Sequence, residues 1–279
     1  LNLGSMRRVV DQEGGCLVWG GRVRLSPADD VLIRVERPLD LDSDAQLVAS
    51  VLSKKLAAGA THVLIDMPVG PTAKVRSYAA AQALSARLIE TGAALGLQVA
   101  VALGDGSQPI GRGVGPALEA RDVLAVLSGD AGAPGDLRAR AVTLAGRLLE
   151  TGGKAAPGLG AARADELLRS GAAGRKFVAI CHAQGGLREP PRAPIVHGIE
   201  ATQAGRVKSI DNRRLARLAK LAGAPGQPAA GLELHVRLGD PVERGQPLFT
   251  LHAAARGELQ YALQYHRDQP ALVLAEEAT

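Results

Sequence analysis

Ser50 and Lys54 stand four residues apart in the run Ser50-Val-Leu-Ser-Lys-Lys-Leu-Ala-Ala-Gly59. On a helix that spacing puts a hydroxyl and an ammonium on one face, where they could grip one ligand together. The residues also allow a plainer arrangement, with Ser50 against a neighbouring helix and Lys54 solvated beside Lys55. Two glycine-bearing loops, Pro68 to Ala73 and Gly104 to Gly115, are a second source of chemistry, because backbone N–H groups at such places can meet an anion. Neither is a Walker motif: the first lacks the GxxxxGK[ST] pattern, and Lys74 has no adjacent serine or threonine to hold magnesium. Gly111-Arg-Gly-Val-Gly115 is not a dinucleotide fingerprint, so both loops are equally compatible with serving only as turns. No Gly-x-Ser-x-Gly elbow occurs, and no histidine among His62, His182, His197, His235, His252 and His266 is placed by sequence for a triad. Cys16 and Cys181 lack CxxC or Cys/His ligand spacing, which argues against a disulfide framework or a zinc site and makes a reducing cytoplasm the expected location.

The elements that must carry these residues show in the hydrophobic spacing. Ala45, Leu47, Val48, Val51, Leu52 and Leu56 recur at three and four residues and predict a helix from Ser43 to Gly59, with Ser43 as N-cap. Thr61 to Met67 is a short continuous apolar run that feeds the first loop, as a buried parallel strand would. Tyr78 to Leu95 reads as a helix, Leu97 to Leu103 as a strand feeding the second loop, and Pro116 to Leu127 as a helix. Such alternation predicts an α/β fold with a mostly parallel sheet flanked by helices. Leu137 to Glu150 and Ala161 to Ser170 read as helices and Lys176 to Cys181 as a further short strand. The proline-rich stretch Glu189 to Pro194 breaks the pattern and divides the chain into domains 1–188 and 189–279. Beyond it, Leu232, Leu234, Val236 and Leu238 alternate, and turns at Gly239 and Gly245 separate short strands, predicting a small α+β, β-rich C-terminal domain.

Composition bounds the partners. Of 279 residues, 46% are hydrophobic, enough for one large core or a medium core plus a small domain. The net charge of +5 comes from 33 basic and 28 acidic residues with no long run of either sign, so neither nucleic acid nor membrane is an expected partner, while an anionic substrate is. Aromatic residues, at 2%, are too few for successive base-stacking platforms. The first ten residues carry no signal-peptide pattern and no window reaches the roughly 20 apolar residues of a membrane span.

Longer runs carry a family likeness. Leu25-Ser-Pro-Ala-Asp-Asp30, the Ser50 to Gly59 run, Ile65-Asp-Met-Pro-Val-Gly-Pro-Thr-Ala-Lys-Val75, Gly106-Ser-Gln-Pro-Ile-Gly111 and Gly115-Pro-Ala-Leu-Glu119 resemble, in the same order, the middle of the thymidine and pyrimidine-nucleoside phosphorylases. Asp66 to Val75 resembles most the branch shared by bacterial thymidine phosphorylases and archaeal AMP phosphorylases. The resemblance implies phosphorolysis, in which phosphate attacks C1′ of a nucleoside and the base leaves to give a sugar 1-phosphate. It implies no cofactor and no metal, inorganic phosphate as co-substrate, and a homodimer as the complete protein. A serine, a lysine and an arginine contact the base in that family. Ser50 and Lys54 fall on the first two, with Lys54 the catalytic group, and Arg37 is favoured over Arg34 as the third. Some relatives bind a monovalent cation, which points to Asp122, and an enzyme acting on nucleoside 5′-monophosphates would place Lys74 or Arg112 at the extra phosphate. Nothing in the chain matches the family's phosphate-binding Gly-Thr-x-Asp segment, so the resemblance implies a piece of a longer polypeptide that alone is a poor enzyme, favoured over a degenerate relative that serves as a non-catalytic binding module or scaffold. Gly239-Asp-Pro-Val-Glu-Arg-Gly-Gln-Pro-Leu248 resembles the family's C-terminal domain and lipoyl-type hairpins, but lacks their modified lysine and reads as structural.

Overall fold

The computed structural model describes residues 2–18, 31 and 44–275. They form two compact units. One gathers the described residues within Leu1–Met67, Tyr78–Leu103 and Val142–Arg188, and the other those within Pro68–Ser77, Gly104–Ala141 and Glu189–Thr279.

In the first unit, helix α1 (Leu3–Glu13) is N-capped by Asn2, whose side chain accepts from Ser5 N–H at 2.8 Å. Helix α2 (Asp44–Ala57) packs on α3 (Tyr78–Ala94), and each buries an apolar stripe: Val48 and Leu52 on α2, and Ala81, Leu84 and Leu88 on α3. Helix α3 joins strand β1 (His62–Val69) to β2 (Gln98–Asp105). Thr61 accepts from Gln98 N–H at one end and Val69 from Gly106 N–H at the other, so the two strands advance in the same direction. Gly92 of α3 lies so close to Val99 of β2 that a Cβ would collide with its side chain, which lets the helix sit directly on the strand.

Among the described residues parallel pairing is confined to these two strands and an isolated bridge between Val69 and Val75, and the expected mostly parallel sheet is corrected to that extent. The two other sheets, one of four strands and one of three, are antiparallel throughout their registers. Part of the miscount comes from Lys176–Cys181, which belongs to helix α7 (Ala172–Ala183) instead of forming a strand. The run from the left-handed Gly171 to Gln184 spans three turns and is rich in alanine. A six-residue apolar window cannot reveal that length, which is what separates a helix from a strand. Helices α4 (Pro116–Ser128), α5 (Gly135–Thr151) and α6 (Gly160–Arg169) follow the predicted positions within a few residues.

The second unit holds the larger core. Strands β3 (Gly113–Val114), β4 (Ile195–Glu200), β6 (Gly231–Leu234) and β8 (Pro247–Ala253) make one sheet, and β5 (Gly205–Ile210), β7 (Pro241–Val242) and β9 (Leu272–Ala275) the other. Helices α8 (Asn212–Leu221) and α9 (Arg256–Asp268) pack with them around Val207, Leu215, Leu218, Leu232, Phe249 and Leu251, all at 1% exposure or less. Each such side chain contributes about 1.5–3 kcal/mol by leaving water. Asp211 caps α8, its Oδ1 accepting from Arg213 and Arg214 N–H at 2.9 and 3.0 Å. The same unit brings the two glycine loops back to back. A Cβ on Gly70 would run into the Gly106 carbonyl group, and one on Gly106 would stand 3.0 Å from Ala73 Cβ. Gly70→Ala is therefore expected to destabilise this unit by about 1–3 kcal/mol through overpacking against backbone, read as a lower urea midpoint by circular dichroism.

Two histidines of this core lose hydration. His266 stacks edge-on against Phe249, with ring centroids 5.3 Å apart, and among the described residues neither its Nδ1 nor His252 Nε2 has a hydrogen-bond partner. Burial lowers both pKa values below the ordinary 6.5; Glu233 partly opposes the shift at His252. A lowered histidine pKa means that the unfolded chain takes up protons before the folded one, so stability is present above about pH 6.5 and is lost as pH falls through the folded values. The urea midpoint should drop between pH 7.5 and pH 5.5, and the drop should shrink in a His252→Gln/His266→Gln variant. An equal drop in that variant would rule these histidines out as its source.

Candidate functional site

Helix α2 sets Ser50 and Lys54 side by side, both half-buried, with Lys54 Nζ 3.4 Å from Ser50 Oγ. The helix is oriented by its opposite face. Ala45, Val48, Ala49, Leu52 and Leu56 look onto a groove of about 550 Å³ against α3, and Arg87 of α3 pairs with Asp44 at 3.0 Å. At 100° per residue Ser50 and Lys54 lie on the far side of α2 from that groove. Gly59, with φ 75°, ends the helix and accepts the chain reversal into β1. The product is a hydroxyl and an ammonium fixed one turn apart, able to donate to neighbouring acceptors on one planar ligand edge. Arg37 and Arg34, and the run Leu25 to Asp30, lie outside the described residues.

The loops belong to the second unit, and several N–H groups of the second are taken by the chain's own carboxylates. In the loop after β2, Asp105 takes the N–H and hydroxyl of Ser107, each at 2.9 Å. Asp136 accepts from Gly111 N–H at 3.2 Å, and Glu119 from Gly115 N–H at 2.9 Å. Asp122 Oδ2 accepts from both Arg112 N–H, at 2.7 Å, and Gly113 N–H, at 2.8 Å. The acid expected to serve a cation thus anchors its own loop. The guanidinium of Arg237 closes the arrangement, donating to the Pro109 and Gly111 carbonyls at 2.9 and 2.8 Å and lying 3.0 Å from Asp136. Charge-assisted bonds of this kind are the strong ones, and they make the loop a rigid ledge. No sequence signal points to Arg237, 126 residues from Gly111 and three residues past the end of the Gly231–Leu234 strand. Lys74 and Arg112 both have exposed side chains.

The other chemistry raised by the sequence stays modest. Cys16 and Cys181 are free thiols, and no group of three or more metal-ligating side chains occurs among the described residues. Among the same residues no helix is long and apolar enough to cross a membrane.

A family description, the pyrimidine nucleoside phosphorylase C-terminal domain, matches residues 206–270, which cover β5, α8, β6 to β8 and α9. Over its whole length the chain is 65% identical to "Putative thymidine phosphorylase 1" of Acidovorax sp. (strain JS42), covering 55% of that protein. It is 60% identical over 277 residues to "Putative thymidine phosphorylase" of Hahella chejuensis (strain KCTC 2396), covering 99% of this chain and 55% of that one. The protein of the same name from Legionella pneumophila (strain Paris) is 58% identical over 273 residues, 98% of this chain and 53% of that one. The chain thus spans about half the length of the curated relatives it matches. With identity at this level from end to end and the C-terminal domain matched over residues 206–270, the chain is similar over its whole length to about half of proteins named "Putative thymidine phosphorylase".

Proposed function

We propose that this chain carries the base-recognising part of an enzyme that phosphorolyses thymidine. The observation that supports this most is the end-to-end likeness to proteins named "Putative thymidine phosphorylase"; beside it, α2 holds Ser50 and Lys54, the pair that the sequence resemblance implies as base contacts, 3.4 Å apart.

In this reading a phosphate oxygen forms a bond to C1′ as the glycosidic C–N bond breaks, and the bonding pair departs with the base. Negative charge grows on the pyrimidine. The Lys54 ammonium donates to it, and that hydrogen bond strengthens as the charge develops, so it stabilises the transition state more than the bound substrate. Ser50 adds a neutral donor and Arg37 a second cation, and together they hold the base while phosphate approaches in line. No covalent enzyme intermediate, cofactor or metal takes part. The residues that hold phosphate come from polypeptide beyond these 279 residues, and the complete protein works as a homodimer in the cytoplasm. The wording of Asp66 to Val75 makes a nucleoside 5′-monophosphate the second substrate to test.

The test is phosphate-dependent release of thymine from thymidine, with uridine and AMP in parallel, by the 279-residue chain and by the complete product of its gene. The complete product should turn over thymidine. Lys54→Ala should lower kcat/KM by about 100-fold, equivalent to ~2.7 kcal/mol of lost transition-state stabilisation, and Ser50→Ala by less. Preference for AMP would move the reading to the monophosphate enzyme. Inactivity of the complete product on all three substrates would end it in favour of a binding role.

A further inference from the structure

Strand β5 carries an irregularity that builds a second polar site within the second unit. Val207 pairs with Leu274 and Ser209 with Val273, so two residues of β5 advance while β9 advances one, and Lys208 is the extra residue of a β-bulge. In an unbroken strand Lys208 and Ser209 would point to opposite faces. Here both are exposed and both line a cavity of about 240 Å³.

The polar side of that cavity is completed by Thr72, Ser107 and Arg214. Thr72 Oγ1 accepts from Asn212 N–H at 3.1 Å, and among the described residues no acceptor takes its own hydrogen. Ser107 is held by Asp105, and Arg214 spends one N–H on the Pro270 carbonyl at 2.8 Å. The carboxylate in the lining, Asp211, is already engaged: its Oδ1 caps α8 and its Oδ2 lies 3.5 Å from Arg214 Nε. Lys208 has no ion-pair or hydrogen-bond partner among the described residues, which leaves its charge uncompensated at the rim. The opposite wall is apolar and includes Leu238 and Val273, which are 37% and 46% exposed and so offer a ligand uncovered hydrocarbon. The volume is below that of a drug-sized site and suits one small metabolite.

We propose that this cavity binds a phosphate group, carried by a small monoester whose carbon skeleton lies on the Leu238–Val273 wall. Lys208 and Arg214 supply the charge, and Thr72 and Ser209 supply hydroxyl donors to the phosphate oxygens. Its walls include Pro71 and Thr72 from the loop after β1 and Ser107 from the loop after β2, so occupancy braces both loops of this unit. The proposal needs no turnover and stands apart from the phosphorolysis reading.

Titration calorimetry of the 279-residue chain with ribose 5-phosphate, inorganic phosphate and uncharged ribose tests it, using Lys208→Met, Ser209→Val and Lys54→Ala variants. Lys208 and Ser209 are exposed and lie outside the core, and a thermal melt checks that their variants fold. Ribose 5-phosphate should bind, ribose should not, and Lys208→Met should weaken binding at least tenfold, with a smaller loss in Ser209→Val and none in Lys54→Ala. Equal affinity for inorganic phosphate would support the same phosphate site with the free ion as its ligand. Absence of binding by either phosphate, or affinity unchanged in Lys208→Met and Ser209→Val, would overturn the proposal.

Discussion

The approach of the loop after β1 to the loop after β2 sets the spacing around which the second unit is arranged. Gly70 and Gly106 meet backbone to backbone, with Gly106 N–H donating to Val69 at 2.8 Å and Asn212 Nδ2 donating to the Gly106 carbonyl at 2.8 Å. Any side chain at Gly70 would sit in the Gly106 peptide. Because Asn212 also donates its N–H to Thr72, the first turn of α8 locks onto both loops at once. The loops are thereby tied to the core around Leu215 and Leu218 through hydrogen bonds that lose their geometry if the glycines part.

A second constraint is electrostatic. The loop after β2 exposes several N–H groups in a short stretch, and such a concave run of donors is an anion-binding shape. The chain fills it with its own carboxylates from Asp105, Glu119, Asp122 and Asp136. Arg237 then offsets part of that negative charge while gripping two loop carbonyls. The net effect is a loop whose shape does not wait for a ligand. A loop held in shape by its own side chains lowers the ordering cost of any binding it takes part in.

The two functional ideas therefore rest on different features. The proposed base recognition uses one helix face, which local periodicity lays out. The phosphate cavity depends on a one-residue slip between β5 and β9, which turns two consecutive polar residues to the same side. Bulges of this kind break the alternation of a strand and re-aim side chains, so their presence beside uncovered leucine and valine is informative in a way that neither is alone.

Much of the architecture was legible in the sequence. Apolar positions three and four apart define α2 and place Ser50 beside Lys54. The strand–helix–strand unit from His62 to Asp105 follows from a short apolar run, a helical stretch and a second run, and Leu232 and Leu234 announce their strand by alternation. These are consequences of periods of 3.6 and 2, which a single segment carries within itself. Tertiary structure alone decided that Lys176–Cys181 coils instead of extending, that most ladders run antiparallel, that Asp122 answers Arg112 and Gly113, that Arg237 reaches Gly111, and that Lys208 shares a face with Ser209. Each depends on pairing or register between segments far apart in the chain, and local periodicity says nothing about which distant group completes a hydrogen bond.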